Sequence, residues 1–365
     1  MRNGEQGKDG WVNQRRVPGE AAGRAAPDGK ATHKGARPDL DSEEPKRPGD
    51  LSRPSKMAVL KRAGTQFKGD NLTILAAALT YYGVLSIVPG LVVLFAILGL
   101  VGKGTTHQLV TQVQSVAPGS SAHFVRTLIT QAQSNKRDAG IGAILGILIA
   151  LWSASSYVGA FRRAANIIYG IGEGRTVWKT LTIRLGVTIV SVVILVISAV
   201  MVVVSGPIAK QVGDAIGAGH ATVLVWNIAK WPVLFVLISL LLAILFWASP
   251  NAKQGGFKWI SPGGLVATGG WLVVSALFAV YVVNFSSYNK TYGSLAGVVI
   301  FLVWLWLTNI ALLFGAEVNA ELDHGRAIAE GLPEDVQPFA QPRDTRKLDD
   351  DEKRAVEAME DSRRT

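Results

Sequence analysis

The chain alternates between long apolar runs and polar connections, and this pattern is its most informative feature. A helix needs about 20 residues to cross the roughly 30 Å hydrocarbon core of a bilayer. Runs long enough to cross lie at residues 72–101, 141–161, 181–204, 223–247, 263–285 and 295–319. A lone strand would leave its backbone unpaired in lipid, so even the β-branched runs favour helices. The pattern predicts an all-α integral membrane protein with six transmembrane helices.

Both ends of the chain have the opposite character. Residues 1–55 are rich in Gly, Pro, Ala and charged residues, and residues 325–365 are similarly polar. Such segments bury too little apolar surface to offset the entropy lost on ordering. We therefore expect a disordered basic tail at 1–55, a six-helix transmembrane domain at 56–324 and a disordered charged tail at 325–365. Within the last tail, residues 348–364 have the pattern of a charged surface helix.

Basic residues in the connections indicate the orientation, because basic connections remain in the cytoplasm. The second connection and its flanks carry Arg162, Arg163, Arg175, Lys179 and Arg184. The third and fifth connections offer little beyond Lys210 and Lys290. The first connection also contains basic residues, but it is long and few of them lie beside a span. The pattern predicts a multi-pass protein of the cell membrane with both termini in the cytoplasm.

The overall charge and composition bear on the partners and the chemistry of the protein rather than on its fold. The 365 residues carry a formal net charge of +10, and 18% of them are charged. In a membrane protein such a balance favours contact with anionic lipid headgroups, and we expect no nucleic-acid partner. The chain contains no cysteine, which excludes disulfides, cysteine nucleophiles and thiolate metal sites.

Polar and aromatic side chains recur within the apolar runs, where burying them is costly. Each hydroxyl alone is explained as well by close packing between helices. Together they suggest one cavity lined by several spans. Its predicted lining residues are Tyr81, Trp152, Ser156, Asn166, Tyr288, Tyr292 and Asn309. Aromatic rings with hydroxyls suit a small amphipathic organic solute better than a bare ion.

Two acidic residues, Glu317 and Glu321, lie four apart near the cytoplasmic end of the last run and so share one helix face. With the predicted topology, Arg162, Arg163 and Arg184 lie at the same depth. A carboxylate at that depth needs a partner. We expect an ion pair between the sixth span and the second or third, acting as a structural clamp or, alternatively, as a proton or cation relay.

Three ordered blocks of sequence resemble the YihY/BrkB family of membrane proteins. The first is Ala78-Leu79-Thr80-Tyr81-Tyr82 with Pro89, the second is Trp152-Ser153-Ala154-Ser155-Ser156 with Asn166 and Tyr169-Gly170, and the third runs from Tyr288 through Trp304-Leu305-Trp306 to Glu321. The resemblance extends from Lys56 to Asp323 and leaves both tails outside. It implies a multi-pass inner-membrane protein without a defined activity. Members have carried the label ribonuclease BN, and solute export is the role usually suspected.

The residues themselves bear on these functions. Metal-dependent RNA hydrolysis needs clustered His and Asp ligands, but the five histidines are scattered without a short-spaced pair. No Gly-rich loop with Lys-Ser or Lys-Thr indicates an ATP-driven pump. We therefore predict no enzyme activity, no catalytic residues, no metal and no cofactor. The favoured function is a secondary transporter or exporter of an unidentified solute, and the alternative is a non-transporting scaffold or envelope-assembly factor.

Overall fold

The computed structural model describes residues 53–101, 139–204, 220–255, 257–284 and 294–363. Within these ranges the regular structure is helical, apart from an isolated antiparallel bridge between Ala252 and Pro342. The helices are α1 (Arg53–Gly69), α2 (Leu72–Val101), α3 (Ala139–Ile168), α4 (Val177–Val203), α5 (His220–Ala248), α6 (Phe257–Asn284), α7 (Ser294–Ala329) and α8 (Asp350–Ser362). The prediction of an all-α fold is confirmed for the described part of the chain. The tail predicted at 1–55 lies outside it up to residue 52.

The long helices α2 to α7 correspond one by one to the six apolar runs. Among the described residues, four helical stretches are long and apolar enough to cross a membrane by length and composition alone. They are Val177–Val202, Thr222–Ala248, Pro262–Val282 and Gly297–Ala329. A shorter apolar stretch spans Leu72–Ser86.

Helices α2 to α7 pack as a ring, since each contacts the next along the chain and α7 returns to contact α2. Helix α7 also contacts α3 and α5, so it lies closest to the centre of the bundle. Helix α1 is polar and separate from α2 because Asn71 adopts a left-handed φ of 52°, a conformation that asparagine tolerates. Its apolar residues Val59 and Ala63 are buried against Val318 and Leu322 of α7.

Residues 325–363 are ordered, so the prediction of a disordered C-terminal tail is wrong for this segment. Helix α7 continues to Ala329, and residues 330–349, which we name the strap, cross the end of the bundle before α8 begins. Apolar residues spaced along the segment are buried in the main core, including Leu332, Phe339 and Met359. Because this segment is polar overall and its apolar residues are widely spaced, its composition predicted disorder. The predicted surface helix within this tail is present as α8, which begins with an Asp349–Glu352 capping box.

Helices α6 and α7 approach closely because small residues face each other. A Cβ added to Gly315 would lie 2.5 Å from Ala267 Cβ and 2.6 Å from Gly263 O. In addition, Gly263 N donates to Asn319 Oδ1 at 2.8 Å. Small residues that allow such contact are the usual basis of helix association in lipid.

Burial is uneven along these two helices. Helix α7 is buried almost continuously from Asn309 to His324, whereas every residue from 297 to 308 is partly or fully exposed. Helix α6 shows the same change, with Ala267 and Thr268 buried and no buried residue from 269 to 282. The α6–α7 pair is therefore buried within the protein towards the strap and exposed on its surface towards the opposite end.

The close α6–α7 contact gives a direct test of packing. We expect Gly315→Ala to lower the thermal unfolding midpoint of the purified protein, because overpacking against backbone costs about 1–3 kcal/mol. Gly269→Ala on α6 is the matched control, since its added Cβ would meet no atom within 4 Å. Equal midpoints for the two variants would contradict the close approach of α6 and α7.

Candidate functional site

Three segments meet at one end of the bundle, which we name the polar end. They are the α3–α4 connection (169–176), the α5–α6 connection as far as residue 255, and the strap. Their backbones bond to one another: Arg343 N donates to Asn251 O at 2.6 Å, Lys253 N to Gln341 O at 2.7 Å, and Lys347 N to Gly174 O at 3.0 Å. The strap therefore joins two connections that are about 80 residues apart in sequence.

The carboxylate of Glu173 is the centre of this arrangement. It accepts hydrogen bonds from Arg175 Nε at 2.7 Å and Nη2 at 3.0 Å, from Asn166 Nδ2 at 3.2 Å, and from Arg162 Nη1. Arg175 has only 1% of its side chain exposed and also donates from Nη2 to Ser249 O at 2.7 Å. One carboxylate thus links the end of α3, the α3–α4 connection and the end of α5.

The charges of the two arginines determine the protonation of Glu173. Burial by itself would raise the pKa of this carboxyl, but the hydrogen bonds and charges of Arg175 and Arg162 outweigh it, and the pKa is lowered. Glu173 is consequently ionised at neutral pH. Two buried or half-buried guanidinium groups near one another would repel without it.

Asn251 joins the α5–α6 connection to the strap by hydrogen bonds. It is fully buried, its Nδ2 donates to Asp344 O at 2.8 Å, and its Oδ1 accepts from Asp344 N at 3.1 Å. Its backbone N donates to Asn166 Oδ1 at 2.8 Å. Gly174 fits beneath the strap because any Cβ there would lie 1.8 Å from Asp344 O. We name Arg162, Asn166, Glu173, Arg175, Asn251 and Asp344 the polar network.

A second cluster lies beside the polar network and ties α7 to the same connections. Asp323 accepts from Tyr169 Oη at 3.1 Å and from Gly255 N at 3.0 Å. Gln254 Nε2 donates to Tyr169 Oη at 3.0 Å, and Arg343 Nη2 donates to Trp247 O at 2.8 Å. Burial lowers the pKa of Arg343. The ends of α3, α5 and α7 are therefore fixed together by side chains as well as by the strap.

In the described part of the chain, Glu321 does not make the predicted ion pair between α7 and α3 or α4. Glu321 instead pairs with Arg62 of α1, whose Nε lies 2.7 Å from Glu321 Oε2. Glu317 is buried on the same face of α7. The sequence argument overlooked α1, which packs along α7 and supplies the cation for Glu321.

The three arginines predicted to form that clamp have other partners. Arg162 bonds to Glu173, Arg184 Nε donates to Ser155 Oγ at 2.8 Å, and Arg163 lies over the Tyr82 ring at 5.8 Å. Arg184 also lies 5.1 Å from the centre of the Trp152 ring. Among these arginines, Arg162 has an acidic partner, and that partner is Glu173 in the adjacent α3–α4 connection rather than a residue of α7.

The residues predicted to line one cavity are dispersed. Tyr81 and Trp152 are 62% and 57% exposed, and Ser156 donates to its own helix at Trp152 O. Asn166 belongs to the polar network, and Asn309 lies at a separate junction between helices. These five therefore do not share one interior surface. Tyr288 and Tyr292 lie outside the described residues.

Asn309 holds three helices together in the middle of the apolar region. Its Oδ1 accepts from Tyr157 Oη of α3 at 2.7 Å, and its Nδ2 donates to Thr80 Oγ1 of α2 at 3.1 Å. Nearer the open end, Ser86 Oγ donates to Ser153 O, and Ser153 Oγ to Leu85 O, both at 3.2 Å. These polar groups satisfy one another between helices, as polar groups in lipid must.

Two buried polar features were not predicted from the sequence. Lys230 lies within α5, is almost fully buried and donates to Asn227 Oδ1 at 3.2 Å, with its Nζ 5.5 Å from the centre of the Trp231 ring. A lysine inside an apolar run is itself a signal that could have identified it. The polar network had no such signal, because Glu173 and Asn251 lie in connections of ordinary composition.

The fold and the polar end define a helical membrane protein in which the polar groups mainly join helices. A sequence profile of the Virulence factor BrkB family matches residues 63–338. The chain belongs to this family, as the resemblance predicted. The match ends inside the strap, so residues 339–365 lie beyond the family's shared region.

Curated relatives agree with this assignment. The ribonuclease-like protein YfkH of Bacillus subtilis is 29% identical over 258 residues, which cover 71% of this chain and 92% of YfkH. The UPF0761 membrane protein RC1_0578 of Rhodospirillum centenum is 29% identical over 77% of this chain and 60% of its own length. A UPF0761 membrane protein of Aeromonas salmonicida is 26% identical over 73% of this chain and 90% of its own length. No solved structure matches the chain.

The ribonuclease-like name belongs to one relative, whereas the UPF0761 relatives are described as membrane proteins. Within the described ranges, no group of three or more His, Asp or Glu side chains could hold a metal ion. The acidic side chains at the polar end are instead bonded to arginines, a tyrosine and backbone amides.

The polar network predicts a stability effect that depends on pH. We expect Glu173→Gln to lower the free energy of unfolding at pH 7 by about 2–3 kcal/mol, because two arginines lose their shared carboxylate. The folded-state pKa of Glu173 is depressed, so its contribution is complete above its ordinary pKa of 4.5 and is lost as the pH falls through the folded value. The stability difference between wild type and variant should therefore shrink below about pH 4.5.

Denaturation of the detergent-solubilised protein at several pH values measures this difference. Glu357→Gln on the exposed face of α8 is the matched control and should change stability little. A Glu173→Gln variant as stable as the control at pH 7 would contradict the central role of this carboxylate.

Proposed function

We propose that this protein is a six-span transporter of the cell membrane that exports a small solute. The observation that carries the proposal is the uneven burial of α6 and α7. The same two helices are buried beside the polar network and exposed towards the other end. A helical transporter closed at one end and open at the other has this asymmetry, and alternating access exchanges the two ends.

The proposed topology has the polar end in the cytoplasm. Helix α1, the α3–α4 connection, the α5–α6 connection and the strap all contact one another at that end, directly or through α7. Three hairpins, α2–α3, α4–α5 and α6–α7, then extend from it, which accounts for six spans. Basic residues are concentrated at this end, as in cytoplasmic connections generally. Both termini are cytoplasmic in this arrangement, and the basic groups face anionic lipid headgroups.

In this proposal the polar network is the cytoplasmic gate. It consists of hydrogen bonds and ion pairs between segments that are distant in sequence, beside the apolar residues that the strap buries in the main core. Such contacts can separate and re-form when water enters, because water replaces the bonds that are lost. The buried polar junction at Asn309 lies further along the spans and holds α2, α3 and α7 together while the gate opens.

Because the chain contains no cysteine, two introduced cysteines can form a single disulfide that holds the proposed gate closed until it is reduced. Ala252 and Pro342 face each other across an isolated antiparallel bridge, and opposed residues in such pairs have Cα atoms about 4.5–5.5 Å apart. That separation suits a disulfide. A variant with Ala252→Cys and Pro342→Cys would therefore join the strap to the α5–α6 connection under oxidising conditions and release it after reduction.

We expect this double-cysteine variant to transport only when reduced. Proteoliposomes loaded with a mixture of small amphipathic organic acids and amines would be sampled by mass spectrometry for solutes that leave the vesicles. The reduced variant should release a subset of the mixture, and the same preparation should stop releasing it after oxidation, because the gate can no longer open.

Two controls complete the experiment. The cysteine-free parent chain must be insensitive to oxidant, and a single Ala252→Cys variant must transport in both conditions. Vesicles that retain the whole mixture in the reduced state would favour the scaffold alternative. Release that continues unchanged after the disulfide has formed would contradict the gate.

A further inference from the structure

A cleft of about 240 Å³ lies beside the polar end, separate from the polar network and from the middle of the spans. Its lining is Lys253, Gln254, Asp323, Arg326, Phe339, Ala340, Gln341 and Arg363. These residues come from the α5–α6 connection, α7, the strap and the end of α8. The cleft exists only because the strap folds back across the bundle.

Three cations from three segments converge on this cleft. Lys253 comes from the α5–α6 connection, Arg326 from the last turn of α7 and Arg363 from the end of α8. The single acidic residue in the lining is Asp323, and both of its oxygens already accept bonds from Tyr169 Oη and Gly255 N. Arg326 Nε also lies 3.7 Å from Asp323 Oδ1, so this carboxylate offsets part of the positive charge. With three basic residues against one acidic residue, the lining remains positive.

A neighbouring carboxylate occupies part of the same cationic surface. Glu330 Oε1 accepts from Arg326 Nη1 at 2.6 Å, and its Oε2 lies 4.0 Å from Arg363 Nη1. Glu330 thus bridges two arginines as an external oxyanion would. Guanidinium pairs of this kind bind phosphate oxygens through parallel hydrogen bonds.

The position of Arg326 sets the depth of the cleft. It lies seven residues beyond the sixth apolar run, which ends at residue 319, or about 10 Å further along the helix. The lipid headgroup region begins where the apolar part of a transmembrane helix ends. A cleft at this level is accessible both to a phosphate of the lipid and to a phosphate in solution.

We propose that this cleft binds a phosphate-class anion, held by Lys253, Arg326 and Arg363 in competition with Glu330. Because the cations come from the α5–α6 connection, α7 and α8, the bound anion holds the strap against the bundle. The site does not depend on transport and would be present in a non-transporting protein as well.

Thermal unfolding of the full-length protein tests the proposal with two sources of phosphate. In uncharged detergent, inorganic phosphate is titrated against chloride at equal ionic strength. In nanodiscs, phosphatidylcholine alone is compared with phosphatidylcholine containing phosphatidylglycerol. A rise in the unfolding midpoint with inorganic phosphate identifies a soluble ligand, and a rise only with phosphatidylglycerol identifies a lipid headgroup. No rise in either arm overturns the proposal.

Variants show whether the cleft is responsible. Lys253→Gln combined with Arg363→Gln should lower the affinity for the stabilising anion roughly tenfold or more, because two charge-assisted contacts are lost. Lys347→Gln combined with Arg354→Gln removes the same charge from exposed positions outside the cleft and should leave the response unchanged. Equal losses in both double variants would show a general charge effect and overturn the proposal.

The Glu330→Gln variant tests the direction of the change in anion affinity, and this test remains available even if the double variant fails to fold. Removing the competing carboxylate should increase the apparent affinity for the anion severalfold, whereas Glu357→Gln on the exposed face of α8 should not. An unchanged or reduced affinity in Glu330→Gln would show that the anion does not share the arginines with Glu330.

Discussion

The carboxylate of Glu173 is the interaction on which the polar end depends. Two arginines and an asparagine donate to it, and one of those arginines is almost completely buried. A buried guanidinium needs a compensating charge, and Glu173 provides it for the ends of α3 and α5 together. Through Asn166 and Asn251 the same group reaches the strap. These three segments also place apolar residues in the main core, among them Ile171, Ala252 and Phe339, and the polar contacts fix them at one place.

Lipid imposes the complementary constraint further along the helices. No water is available there to satisfy a buried amide or hydroxyl, so each must find a partner in the protein. Asn309 meets Tyr157 and Thr80, and Ser239 Oγ donates to Thr268 Oγ1 at 3.0 Å between α5 and α6. These contacts hold the helices in register, while the open half of α6 and α7 has apolar residues on its surface. Firm junctions in the spans, together with a polar end that could separate, would suit the alternating access that we propose.

The sequence predicted the helices well because their signal is local. Twenty or more apolar residues with few charges specify a helix in lipid whatever its neighbours are. The partners of Glu321 and Arg162 were not predictable in this way, since they depend on how α1 lies along α7 and how the α3–α4 connection folds back. The strap was missed for a related reason: Leu332, Phe339 and Met359 are too far apart in sequence to form a periodic pattern, yet each is buried. Asn309 was correctly recognised as a buried polar group, but its role is to join helices rather than to line a shared cavity with Tyr81 and Trp152.

Hydrogen exchange of the full-length protein in nanodiscs tests the central claim most directly. The amides of Arg343, Lys253 and Lys347 donate across the contacts between the strap and the two connections. If Glu173 holds the polar end together, peptides containing these amides will be protected in the wild type. In Glu173→Gln they will lose protection together, while peptides from the middle of α3 and α7 remain protected. Rapid exchange of the strap in the wild type, or unchanged protection in Glu173→Gln, would contradict the account.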